Sequence, residues 1–105
     1  MKESGLFRNG TRLQSQVCDT QVIVVRSGEA LDDLRAGGVP MIEFGAPKAA
    51  GAGLDPEFAD GCVLGKRYVD ESGAEVLVTR SGEGTLSVGN VPLVLKEPKP
   101  LPASD

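Results

Sequence analysis

The tetrapeptide Arg26-Ser27-Gly28-Glu29 returns as Arg80-Ser81-Gly82-Glu83, 54 positions further along the chain. The β-branched run at 22–25 then falls on 76–79. Beyond it, Leu34-x-x-Gly37-Gly38-Val39-Pro40-Met41 matches Leu86-x-x-Gly89-Asn90-Val91-Pro92-Leu93 at a shift of 52. The change of two residues in the shift falls in a turn, where length changes cost least. Order, spacing and residue type agree, so the chain reads as two copies of one small β unit. Neither copy can bury a hydrophobic face alone, which leads us to expect them packed together about a pseudo-twofold axis.

This divides a single domain of 105 residues into a first β repeat at 12–44, a linker with a short helical turn at 45–61, a second β repeat at 62–96 and a proline-rich tail at 97–105. Short β-branched runs bounded by Gly, Asn, Asp or Pro predict strands over 21–26, 74–80 and 91–96, with weaker candidates at 12–17, 41–44, 63–69 and 85–88. Helix signals are few. Asp55 before Pro56, with Gly61 at the exit, predicts a helical turn or two over 55–61. Residues 29–35 predict another turn, with Leu31 and Leu34 on one side. The fold expected is all-β, about 40% strand and under about 15% helix.

Composition narrows function mainly by exclusion. A net charge of −4 and four aromatic residues give neither the basic surface nor the stacking platforms that nucleic acids require. With no histidine, there is no Ser-His-Asp or Cys-His nucleophile. Two cysteines cannot close a four-thiolate site within one chain. No apolar run reaches the length of a signal peptide or a membrane span, so no membrane association is expected and a cytoplasmic location with reduced thiols is the default. The glycine-rich 45–53 segment lacks a G-K-[ST] ending, which argues against a nucleotide loop.

The second unit, from Lys66-Arg67-Tyr68-Val69 through Gly73, Val76, Val78, Leu86, Gly89 and Pro92, resembles the desulforedoxin-like ribbon also found at the N-terminus of desulfoferrodoxins. That family reads C-x-x-C-G-x-x-V-x-V, a glycine turn, then L-x-C-C-G-x-x-M, and holds one iron through four thiolates. The resemblance implies ligand positions at Val69, Ser72, Ser87 and Val88 in the second unit and at Ser15, Cys18, Arg35 and Ala36 in the first. Only Cys18 is a thiol. Tetrathiolate iron needs four soft, deprotonated ligands, so iron electron transfer is not carried over. The resemblance implies instead a degenerate ribbon with no metal and no cofactor, with apolar side chains where a metal would sit.

Each remaining candidate has a plain structural reading beside its functional one. Cys18 and Cys62 read as buried thiols, as a redox pair, or as half of an intersubunit metal site in a homodimer. Asp55, Glu57 and Asp60 would supply paired carboxylates for acid–base catalysis, with Tyr68 a further catalytic candidate, and the acids also fit a helix start. Lys66, Arg67 and Tyr68 would recognise an anionic ligand, or else guard a sheet edge. The acidic groups Glu29, Asp32 and Asp33, and Asp70, Glu71 and Glu75, fit no cation-loop spacing and read as solvated charge. The leading expectation is a non-catalytic, metal-free accessory or protein-interaction domain. The alternatives are a cofactor-free enzyme or small-molecule binder with a pocket between the units, covered by 45–61, and a cysteine-based redox or metal protein.

Overall fold

The computed structural model describes residues 7–49 and 51–96. They form a small all-β domain of two antiparallel sheets, 36% strand and 9% helix. The first half supplies β1 (Arg12–Gln14), β2 (Gln21–Arg26), β3 (Leu34–Ala36), β4 (Val39–Pro40) and β5 (Ile42–Glu43). The second supplies β6 (Arg67–Val69), β7 (Glu75–Arg80), β8 (Leu86–Val88), β9 (Val91–Pro92) and β10 (Val94–Leu95). The larger sheet runs β5-β1-β2-β7-β6-β10 and the smaller one β4-β3-β8-β9. Helical structure among the described residues is confined to 3-10 turns at Glu29–Asp33 and Pro56–Phe58.

Period-two alternation explains the central strands. Val22 and Val24 of β2 and Val76 and Val78 of β7 point inward and are buried. Elsewhere the expected strands are shortened for local reasons. The run 91–96 divides into β9 and β10, which belong to different sheets. Between them Leu93 turns inward, its N–H donating to the Leu86 carbonyl, and Met41 does the same to Leu34. Pro40 and Pro92, just before these residues, bring no N–H to the open side of edge strands β4 and β9. Of 63–69 only Arg67–Val69 is strand, because Gly65 takes φ +81° and Lys66 N–H closes a turn on Val63. The helix expected over 55–61 is a single 3-10 turn, capped where Asp55 Oδ1 accepts from the Glu57 N–H at 2.9 Å. Over 29–35 the helical turn stops at Asp33 and Leu34 starts β3.

The strand registers obey a pseudo-twofold axis. Along β2 and β7, Val22 faces Val78, Ile23 faces Leu77 and Val24 faces Val76. Along β3 and β8, Leu34 faces Val88, Arg35 faces Ser87 and Ala36 faces Leu86. Outer pairings follow suit: Leu13 with Val22 answers Tyr68 with Val76, and Gln14 with Ile42 answers Val69 with Val94. Loop hydrogen bonds also come in pairs, Phe44 N–H to Arg12 O matching Lys96 N–H to Arg67 O. The seam between the halves is thus made of continuous sheet, twice over.

The core is aliphatic. Leu13, Val22, Val24, Leu31, Leu34, Ala36, Met41, Ala74, Val76, Val78, Leu86 and Leu93 are buried, with Phe7, Tyr68 and Val88 packed at its margin. Among the described residues Ser15, Thr20, Ser87 and Glu75 are buried as well, and of these only Glu75 is acidic. Its carboxylate is 5% exposed and takes Lys96 Nζ at 2.9 Å and Arg67 Nη1 at 3.3 Å. No helix among the described residues is long and apolar enough to cross a membrane.

Candidate functional site

Two places break the pseudo-symmetry, and both gather chemistry. The first is the turn between β1 and β2, one residue longer than its counterpart between β6 and β7. Ser15 is fully buried, and its hydroxyl accepts the N–H groups of Val17 at 3.0 Å and Cys18 at 3.1 Å. This curls the turn and holds the Cys18 thiol over it. Cys18 Sγ lies 3.3 Å from Ser15 Oγ and 3.2 Å from Thr20 Oγ1, and receives the Gly84 N–H at 3.3 Å. Burial pushes the Cys18 thiol up, but hydrogen bonds from Ser15, Thr20 and the Gly84 backbone outweigh it and leave the thiol below its ordinary range. Thr20 Oγ1 also reaches Cys62 Sγ at 3.6 Å, so a single buried hydroxyl bridges two half-buried free thiols.

Glycine permits that approach. Gly82 lies so close to Thr20 that a β-carbon there would stand 2.5 Å from the Thr20 nitrogen and 2.6 Å from Oγ1. At the pseudo-equivalent Gly28, a β-carbon would meet only the Ala74 methyl at 3.4 Å.

The second place is the outer edge of the second half. A recess of about 370 Å³ opens there between the edge strands β9 and β10 and the turn that follows β6. Val69, Val88, Val91, Pro92 and Val94 give it apolar walls, and Asp70, Glu71 and Ser72 form one rim. Val91 and Val94 are 57% and 65% exposed. At the matching positions of the first half the chain covers itself. Gln14 Nε2 donates to Ala46 O at 3.1 Å, and Gln16 spans Pro40 O at 2.7 Å and the Ala49 N–H at 2.7 Å. Leu54 and Val17 close over Gly37, and the Asp55 N–H bonds the Gly37 carbonyl at 2.9 Å.

The residues singled out from the sequence divide accordingly. Cys18 and Cys62 are brought together around Thr20. Asp55 is occupied as a cap and Glu57 supplies the N–H it holds. Tyr68 Oη accepts the Val63 N–H at 3.0 Å, Arg67 pairs with Glu75, and Lys66 is exposed on the turn before β6. Among the ribbon positions, Ser15 and Cys18 share a hydrogen bond, while Arg35 pairs with Asp33 at 2.9 Å beside buried Ala36. In the second half Val69, Ser72 and Val88 line the recess, and buried Ser87 donates to Gly89 O.

The acidic groups are in use as well. Asp70 Oδ1 takes Ser72 Oγ at 2.8 Å and the Ala74 N–H at 3.0 Å. No group of three or more potential metal ligands occurs among the described residues. The seam where a pocket was expected is filled by Val22, Val24, Val76 and Val78, each at most 2% exposed, and the recess lies at the outer edge instead. Thr20 and Gly84 escaped the sequence reading, since a bridging hydroxyl and a backbone donor carry no spacing signature.

No family model, curated protein or solved structure matches this chain.

Proposed function

We propose that this is a non-catalytic interaction domain, and that the recess beside β9 and β10 docks an extended segment of a partner protein. The observation that carries the reading is internal. The same surface of the first half is covered by this chain's own segment after β5, whereas Val91 and Val94 stand open in the second. The covering segment supplies a description of the partner. It is built of Gly, Ala and Pro, carries Lys48 and ends on an aliphatic anchor, Leu54.

A partner of that chemistry matches the second recess better still, because Asp70 and Glu71 stand where the first half has neutral Ser15 and Gln16. Apolar walls supply affinity, and a rim of opposite charge sets orientation and on-rate. We read the two halves as copies of one ribbon-like unit. The first has closed its groove with the linker and the second has kept it for a partner.

The probe is a synthetic peptide of residues 44–55 added to the full chain and followed by amide NMR shifts. We expect shifts concentrated at Val69, Val88, Val91 and Val94, lost in a Val94→Asp protein and weakened for a peptide carrying Lys48→Glu. Absence of binding to the full chain would overturn the proposal. So would binding that emerges only when the chain is cut after Lys96, which would give the groove to this chain's own residues 97–105.

A further inference from the structure

We infer that Cys18 and Cys62 form an oxidation site, in which Cys18 reacts with a hydroperoxide and Cys62 resolves the product as a disulfide. The inference is independent of the docking groove and rests on the thiol cluster alone. Three polar groups converge on Cys18 Sγ, all between 3.2 and 3.3 Å: the Gly84 N–H, which donates to it, the Ser15 hydroxyl, which accepts from the thiol, and the Thr20 hydroxyl, which can do either. Hydroxyl hydrogens rotate, so both can turn toward sulfur when the thiol ionises, while the Gly84 N–H already points there. One fixed donor and two hydroxyls able to turn toward the sulfur favour thiolate over thiol, which is the environment of a reactive cysteine. Among the described residues Cys62 Sγ has the Thr20 hydroxyl alone as a hydrogen-bond partner, at 3.6 Å. The two thiols are therefore unequal neighbours, one prepared for attack and the other placed to follow.

The chemistry balances with a hydroperoxide as the oxidant. The Cys18 thiolate attacks the outer oxygen, the O–O bond breaks, and water or an alcohol leaves with the electron pair after gaining a proton. Sulfur is left as sulfenic acid. Cys62, having released its proton to solvent, attacks the Cys18 sulfur. The S–O bond breaks, the S–S bond forms and hydroxide departs as water. The thiols lose two electrons and the peroxide gains them.

The local backbone suits this second step. Cys62 lies in an irregular segment that follows Gly61 at φ +81°, held by Asp60 N–H to Thr85 Oγ1 and Val63 N–H to Tyr68 Oη. Thr20 Oγ1 touches both sulfurs, at 3.2 and 3.6 Å, and its side chain turns about a single bond.

The test is stoichiometric hydrogen peroxide on the full chain, read by intact mass, free-thiol titration and dimedone trapping. We expect one equivalent to consume both thiols, the mass of the monomer to fall by two hydrogens, and no covalent dimer to form. Cys62→Ser should accumulate dimedone-reactive sulfenic acid at Cys18. Thr20→Val should slow alkylation of Cys18 at neutral pH by about tenfold. The inference fails if excess peroxide leaves both thiols titratable, if disulfides form only between chains, or if sulfenic acid is trapped at Cys62. Mapping the dimedone adduct on the unmutated chain keeps the test decisive should a variant misfold.

Discussion

Gly28 and Gly82 occupy matching turns, yet only one of them is irreplaceable. A methyl at Gly82 would collide with the backbone nitrogen of Thr20, which cannot swing aside, whereas at Gly28 it would make an ordinary contact with Ala74. Gly82→Ala should cost about 2–3 kcal/mol and Gly28→Ala well under ~1 kcal/mol, read from urea midpoints. The sequence made both look like turn glycines; that one is a close-packing glycine follows only from its neighbour being Thr20 rather than alanine.

Cys18 offers a second residue-scale expectation. Its thiol is raised by burial and lowered further by the Ser15, Thr20 and Gly84 hydrogen bonds, so the folded value lies below that of an ordinary thiol. Stability from the ionised thiol is therefore present above the unfolded value and lost as pH falls through the folded one. The pH dependence of alkylation should show a midpoint below that of a free thiol, and Thr20→Val should move it upward.

At the scale of single strands, the edge formed by β6, β7 and β10 is tied by one buried carboxylate. Burial pushes Glu75 up, but the Lys96 hydrogen bond and charge and then the Arg67 charge outweigh it, holding the carboxyl below the usual carboxylate range. The contribution to folding is full above the unfolded value and disappears as pH falls through the folded one. Lys96 and Arg67 are about half exposed, at 51% and 54%, so water screens much of the attraction. Glu75→Gln should cost about 1–2 kcal/mol at neutral pH, less than a fully buried pair, and the gap to the unmutated protein should close in acid. Chemical denaturation at a series of pH values measures it.

Strand existence was legible at this scale, because the short, largely β-branched apolar runs within 21–26 and 74–80 are bounded by polar residues and turn signals. The division of 91–96 into two strands of different sheets was not. Val91, Leu93 and Val94 look alike in a hydrophobic pattern, and only the inward turn of Leu93 separates them. The candidate sites were half legible for the same reason. Cysteines announce themselves, but the bridging Thr20 and the covering role of Leu54 depend on segments remote in sequence meeting in space.

In the whole molecule, the seam is nearly self-complementary, and this sets up a contrast between the halves. A seam with twofold registers permits two copies of one half to pair as the two different halves do. For residues 61–105 the substitution is undemanding. Ser87 would face Ser87 of the second copy, Val76 would face Val78, and Ala74 would meet Gly82 as it now meets Gly28. For residues 1–60 the same operation places Arg35 opposite Arg35, where Ser87 now stands, and like charges directly opposed across strands destabilise. The fragment 61–105 should therefore self-associate into a β-structured dimer, while 1–60 stays unfolded alone. Mixing should draw both into a one-to-one pair, since that arrangement restores Arg35 to Ser87 and Thr20 to Gly82. Sedimentation equilibrium with circular dichroism on each fragment and on the mixture decides it. An Arg35→Ser change in 1–60 should permit its own dimer. If 61–105 remains monomeric and unfolded while the mixture folds, the near-symmetry of the registers is not enough to make either half its own partner.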